Sequence, residues 1–214
     1  MVQALRASNG DRLLDWGAGY GHFSYVQQVL GAKVVAFTPP RDSYTEYVGL
    51  LEQLAGAGGF DVRVGDPRLG LPVEDASQDV VTSIGVLEHV AEGGDDEDRA
   101  VADIARTLRP GGVFFIAHLP QRSSAIEWLN RRLGRTHHQR LFTRRELRTL
   151  LARHGFCELS TSRYGLLPVN QLASSARGQA VSLKSSVRYR EIDRHLCKGL
   201  GLFAQNLGAT FQKQ

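Results

Sequence analysis

The chain has 214 residues, 42% hydrophobic and 22% charged, enough apolar material for one buried core. That balance excludes a disordered tail and a collagen-like chain, and two cysteines, Cys157 and Cys197, outside any metal-type spacing exclude a disulfide scaffold. The 26 basic and 22 acidic residues leave a mild +4, with 22 Arg to 4 Lys, a bias that reads as a GC-rich genome or as a partner that wants guanidinium groups.

No apolar run approaches the roughly 18 residues of a membrane span. The N-terminus lacks the apolar core of a signal peptide, so a cytoplasmic protein is expected. In chain order, Arg12 to Trp16 is a short apolar run that ends in glycines and predicts a buried strand. Phe23 to Leu30 has helical spacing, with Gly31 as its stop. Lys33 to Phe37 is a second, β-branched strand, ended by Pro39 and Pro40. A helix from about Ser43 to Ala55 leads through Gly56–Gly59 to a third strand, Phe60 to Val64. Val80 to Ile84 is a fourth strand and Val113 to Ala117 a fifth, with a helix over Arg99 to Leu108 between them. Thr143 and Glu146 make a capping box for a helix that runs to about His154, and Cys157 to Arg163 forms a sixth strand. Leu166 to Asn206 is far longer than a crossover needs, with helical spacing over Arg190 to Phe203, and Ala209 to Phe211 can close the sheet. Buried strands joined by helices imply a parallel sheet covered on both faces, with its ligand beyond the carboxyl ends of the strands.

Glycine is abundant, 23 of 214, and the run Asp15-Trp16-Gly17-Ala18-Gly19-Tyr20-Gly21 places three glycines between strand and helix. Such a loop turns sharply, lets a ligand approach the backbone and offers helix N–H groups to an anion. The carboxylate of Asp15 suits a ligand ammonium instead, so a ligand with an amino acid end answers both features. The GxGxG spacing disfavours a nicotinamide dinucleotide.

Here the sequence resembles the class I S-adenosylmethionine-dependent methyltransferases, in particular the type 11, quinone-biosynthesis-like small-molecule branch. Four further segments fall in that family's order: Gly65-Asp66 with Leu71-Pro72 and Asp79-Val80-Val81; Val86-Leu87-Glu88-His89-Val90; Leu108-Arg109-Pro110-Gly111-Gly112; and His138 to Glu146 with Gly155-Phe156. The resemblance covers about residues 10–163. It implies a Rossmann-like, doubly wound α/β fold with a mostly parallel seven-stranded sheet in the order 3-2-1-4-5-7-6. A helical insertion precedes the last strand. Residues 1–214 are then one methyltransferase domain, with a cofactor core over about 10–163 and a substrate cap over about 166–206.

By the same resemblance, S-adenosyl-L-methionine is the cofactor. Asp15, Gly17, Ala18, Gly19 and Gly21 hold its methionine end, Phe37 and Thr38 lie at the ribose, and Asp66 and Pro67 meet the adenine. Gly85, Val86 and Leu87 line the thioether. Thr38 departs from the family, which usually has an acid there; one neutral hydroxyl is a weaker ribose clamp than a carboxylate. That departure motivates an alternative reading: a catalytically impaired, methyltransferase-like binding or scaffold domain.

The expected reaction is methyl transfer to a small molecule, at oxygen, of a bacterial metabolite, lipid or sugar. The enzyme aligns the nucleophile and adds a general base. His118, directly after strand five, and His138 are the catalytic candidates; His89 and His137 are weighed beside them, and Glu88 is a contact candidate near the thioether. No metal-ligand spacing is present. Seven arginines between Arg131 and Arg148, against Glu146 alone, read as a solvated face or as a contact for an anionic or lipid-linked acceptor or a peripheral membrane surface. Nucleic acid is not expected, because aromatic interleaving is poor. The acidic run Asp95–Asp98 starts a helix. Leu166, Leu167 and Leu172 are expected to line the acceptor pocket. The sequence leaves the oligomeric state open.

Overall fold

A computed structural model describes residues 9–40, 45–92, 96–135, 138–167 and 176–214, with backbone only for 45–48 and 176–186. His137 and Leu172, named above as candidates, lie outside the described residues, as does the expected helix start at Ser43.

The strands form one seven-stranded sheet in the order β3-β2-β1-β4-β5-β7-β6. Strand β1 (Arg12–Trp16) lies parallel between β2 (Lys33–Thr38) and β4 (Gln78–Ile84). β3 (Asp61–Val64) pairs with β2, and β5 (Leu108–Pro120) pairs with β4, both in parallel. β7 (Asn206–Lys213) runs antiparallel between β5 and β6 (Phe156–Tyr164). This is the expected topology, with strand five longer at both ends. Leu108 pairs with Gln78, and a register shift between Gln78 and Val80 admits the Pro110-Gly111-Gly112 turn within the strand.

Helices cover both faces, and the period-two alternation of the strands divides the core between them. Leu13, Val34, Ala36, Val80 and Phe115 face α2 (Thr45–Gly58) through Leu51 and Ala55. Their chain neighbours Leu14, Phe37, Val81, Phe114 and Ile116 pack on the other side with α3 (Glu97–Thr107) and α5 (Arg144–Ala152) through Val101, Ile104, Leu147 and Leu151. α1 (His22–Val29) follows the glycine loop. Asp96 caps α3 by accepting from Asp98 N, and Thr143 with Glu146 forms the capping box of α5, both as the sequence indicates.

Two helices differ from expectation. α4 (Ala125–Arg132), capped by Ser124, was not foreseen, because its exposed Trp128 and Leu129 blur any apolar stripe. α6 (Ala176–Leu200) begins earlier than the spacing indicates, and Gly201–Phe203 is a 3-10 turn rather than helix. The acid that anchors α6 is buried Asp193, whose carboxylate accepts from the N–H groups of Gly165, Leu166 and Leu167.

At the centre, Asp15 is 2% exposed. Ser24 Oγ on α1 donates to its Oδ2 at 2.5 Å, and Thr82 Oγ1 on β4 to its Oδ1 at 2.8 Å. Desolvation raises the Asp15 pKa, and the two hydroxyls oppose that rise. Thr82→Val keeps the shape and removes one donor. Urea unfolding should show a loss of about 1–3 kcal/mol, and an unchanged midpoint would mean that Ser24 alone satisfies the carboxylate.

Candidate active site

A cleft of ≈ 690 Å³ opens where the carboxyl ends of β1, β2, β3 and β4 meet. From the glycine loop it takes Trp16, Gly17 and Gly19, and from the end of β2 Phe37, Thr38, Pro39 and Pro40. Asp66, Pro67 and Arg68 follow β3, and Ile84, Gly85, Val86, His89, Val90 and Glu92 follow β4.

The loop is held to β2 by its backbone: the N–H groups of Gly17 and Ala18 both donate to Phe37 O, at 2.9 and 3.0 Å. Gly17 has φ +74, and a Cβ there would lie 2.4 Å from Val86 Cγ2, so only glycine lets these walls meet. Gly19 has φ +53, and a Cβ there would meet no protein atom within 4 Å, because it borders the open cleft.

Eight of the twelve expected cofactor residues line this cleft: Gly17, Gly19, Phe37, Thr38, Asp66, Pro67, Gly85 and Val86. The structure gives the other four a different place. Asp15 lies beneath the loop with both oxygens engaged, not free on the wall for a ligand ammonium. Ala18 packs against the core on the α2 side. Gly21 opens α1, where a Cβ would lie 2.6 Å from Leu51 Cδ1. Leu87 is fully buried in the core rather than at the cleft. Trp16, Pro39, Pro40, Arg68, Ile84, Val90 and Glu92 also line the cleft and were not among the sequence candidates for it, whereas His89, weighed from the sequence, does line it. Their adjacency to motif residues was the available signal. Among the described residues, none from the 166–206 insertion lines the cleft.

Asp66 caps the 3-10 turn Pro67–Leu69 and forms a close pair with Arg68, NH2 to Oδ2 at 2.7 Å. Hydrogen bonds from the Arg68 side chain and backbone hold its pKa down at about 2. The carboxylate is therefore ionised, with both oxygens accepting from Arg68.

Beside the cleft lies a group of ionisable residues. Glu88 is 2% exposed, its Oε2 has no hydrogen-bond partner, and burial raises its pKa. His89 Nδ1 is 2.7 Å from Glu92 Oε2, and His138 Nδ1 is 3.0 Å from Glu127 Oε1. The rings of His89 and His138 are 5.8 Å apart. Glu88, His89 and His138 place one ligand atom each within 4.8 Å of one another, a group close enough to hold a metal ion, although no spacing in the sequence indicated one.

His118 is not on the cleft wall, but it stands next to Gly85: a Cβ built there would lie 3.9 Å from His118 Cβ. It has φ +57, its N–H donates to Tyr164 Oη at 2.5 Å, and the two rings meet edge-on at 5.5 Å. Desolvation pushes His118 down and Tyr164 up to about 12. Tyr164 and Glu127 were not among the sequence candidates, since only the fold brings β6 and α4 to this place.

The basic segment is also reassigned by tertiary contacts. Arg140 binds Glu97 through two nitrogens, at 2.6 and 3.0 Å, and Arg144 binds Glu158 at 2.6 Å. Arg122 reaches Glu146 at 2.6 Å. Glu97 and Glu158 thus reach Arg140 and Arg144 from outside the segment, while Arg122, also from outside, takes the segment's own acid.

Comparison with known proteins agrees with this geometry. A family model described as "Methyltransferase domain" matches residues 2–160, and the chain belongs to that family. A malonyl-[acyl-carrier protein] O-methyltransferase of Methylococcus capsulatus is 32% identical over 69% of this chain and 52% of its own length. A ubiquinone biosynthesis O-methyltransferase of Rhizobium johnstonii is 32% identical over 54% of this chain and 44% of its own. The chain thus spans about half the length of these curated relatives. Among solved structures, the [4+2]-cyclase SpnF superposes with a TM-score of 0.68 at 19% identity, covering 99% of this chain and 77% of that one. A possible histamine N-methyltransferase of Thermotoga maritima gives 0.67 at 17%, covering 100% and 86%. At those identities the likeness is one of fold.

The Asp66 carboxyl should titrate at about 2 by carbon NMR, as its contacts dictate. Arg68→Ala should return it toward the usual carboxylate range; an unmoved midpoint would mean that Arg68 is not the cause.

Proposed function

Starting from membership of the methyltransferase-domain family, we propose that this chain transfers a methyl group from S-adenosyl-L-methionine to oxygen on a small-molecule acceptor. The observation that carries the reading is the cleft at the strand ends, where a glycine loop of forced geometry faces Asp66 and Thr38. The O-methyltransferase activity of the curated relatives supports oxygen as the acceptor atom.

The residues present fit the cofactor. Gly19 leaves space that any side chain would fill, and the Asp66 carboxylate can accept from an amino group. When bound, the cofactor's sulfonium supplies an electrophilic methyl group. Gly17 and Gly19 would hold the methionine end, Phe37 and Thr38 the ribose, Asp66 and Pro67 the adenine, and Gly85 and Val86 the thioether side. Asp15 would act through the loop it braces. His118 and His138 are the proposed acid–base residues, on the side of Gly85 where an acceptor hydroxyl could approach.

We read the chain as one domain, with residues 166–206 helping to choose the acceptor. Support for a lipid-linked or anionic acceptor, and for peripheral membrane contact, is the exposed run Ile192, Leu196 and Leu200 on α6 beside Arg194 and Lys198. Among the described residues no helix is long and apolar enough to cross a membrane. A bacterial metabolite and a cytoplasmic location complete the proposal.

A second reading, a binding domain without turnover, rests on Thr38 in place of the usual acid. Calorimetry with S-adenosylhomocysteine tests the first: no heat at millimolar ligand would overturn it. Gly19→Ala adds a Cβ that meets no protein atom within 4 Å, carries a left-handed backbone strain of about 1–2 kcal/mol at φ +53, and should lose binding by roughly tenfold or more. Thr38→Asp should tighten binding by roughly tenfold if the ribose hydroxyls sit at that strand end, through charge-assisted hydrogen bonds. Unchanged affinity in both variants would place the ligand elsewhere.

A further inference from the structure

Glu127 and His138 are eleven residues apart in sequence, on α4 and on the segment before α5. Building on the methyltransferase reading, we propose that Glu127 is a positioning residue that fixes His138 as the general base for the acceptor hydroxyl.

The geometry is specific. Glu127 is 3% exposed and sits in the first turn of α4, where its own N–H is capped by Ser124 Oγ. Its Oε2 accepts from the backbone N–H of His138 at 3.1 Å. Its Oε1 lies 3.0 Å from His138 Nδ1 and accepts from Gln205 Nε2 at 3.2 Å. Burial opposes ionisation of Glu127, but the hydrogen bonds from His138 and Gln205 outweigh it and hold the pKa below the usual value. A carboxylate accepts only, so Nδ1 carries the hydrogen, and in the neutral ring the lone pair lies on Nε2. With Nδ1 engaged, Nε2 is the nitrogen left for the space shared with Glu88 and His89.

A buried carboxylate is expensive unless it is fully bonded. Here it is bonded in a way that selects one tautomer and one ring orientation, as the aspartate does in a Ser-His-Asp triad. In the step, the acceptor hydroxyl gives its proton to Nε2 of neutral His138. The imidazolium formed carries the positive charge that the sulfonium loses with its methyl group, and the Glu127 charge stabilises it. Glu127 touches no reacting atom.

The test uses the full chain with histidine nitrogen labels and needs no acceptor. In alkaline buffer, where imidazole is neutral, NMR of the wild type should show His138 protonated at Nδ1 and bare at Nε2. Glu127→Gln should invert this. The backbone N–H of His138 cannot turn, so it claims the amide oxygen; the amide NH2 then faces Nδ1, and Gln205 flips to suit. Acylation by diethyl pyrocarbonate, a probe of the free Nε2, should be slowed roughly tenfold at His138 in Glu127→Gln and unchanged at His89. A wild-type Nε2–H tautomer would overturn the proposal, as would a Glu127→Gln protein with the same tautomer and acylation rate. If Glu127→Gln does not fold, Gln205→Leu removes one donor to Glu127 and leaves the His138 contacts; the tautomer must then persist and acylation stay fast, and a mixed tautomer counts against the proposal. Absence of S-adenosylhomocysteine binding would defeat the methyltransferase reading while leaving these readouts interpretable.

Discussion

The geometry of the cleft depends on one buried carboxylate. Asp15 lies at the carboxyl end of the central strand, and its two oxygens tie α1 to β4 through Ser24 and Thr82. Removing a charge from water costs several kcal/mol, so the carboxylate holds its place only while both hydroxyls reach it. That demand fixes the start of α1 relative to β1 and β4. The glycine loop must then span the gap between them, and its N–H groups at Gly17 and Ala18 find Phe37 O on β2. Three strands and a helix are thus registered around one point, with the cleft directly above it.

The glycines follow from that register rather than from ligand contact alone. Gly17 has to let Val86 approach, Gly21 has to let Leu51 approach, and only Gly19 opens onto empty space. In the folded chain two of the motif's three glycines admit close packing, and two of the three, Gly17 and Gly19, line the cleft. The preceding acid is likewise a brace. Its spacing is as visible in the sequence as that of the glycines, but spacing cannot show which side of a loop a side chain takes.

This marks the extent to which the sequence was legible. The strands announced themselves as buried β-branched runs, and Leu13 and Leu14 could be assigned to opposite faces because the period of a strand is two. The ends of β1 to β4 converge by topology, so the cleft was foreseeable from element order. What stayed hidden depends on distant contacts. Arg140 and Arg144 read as a free basic face until Glu97 and Glu158 arrive from α3 and β6. α4 escaped notice because Trp128 and Leu129 face solvent. Tyr164 meets His118 only because β5 and β6 flank the antiparallel β7, and the two side chains reach across it.

Three buried carboxylates near the cleft separate structure from chemistry by how fully each is bonded. Asp15 has one hydroxyl donor on each oxygen, from α1 and from β4, which suits a brace. Glu127 receives three donors, two of them from His138, so its burial is spent on orienting one imidazole. Glu88 leaves Oε2 without any donor at 2% exposure, and its raised pKa reflects that desolvation. An unmet buried oxygen is unstable unless a proton or a ligand supplies what the protein does not. The unmet group adjoins the open cleft and two histidines, whereas the fully met one lies beneath it.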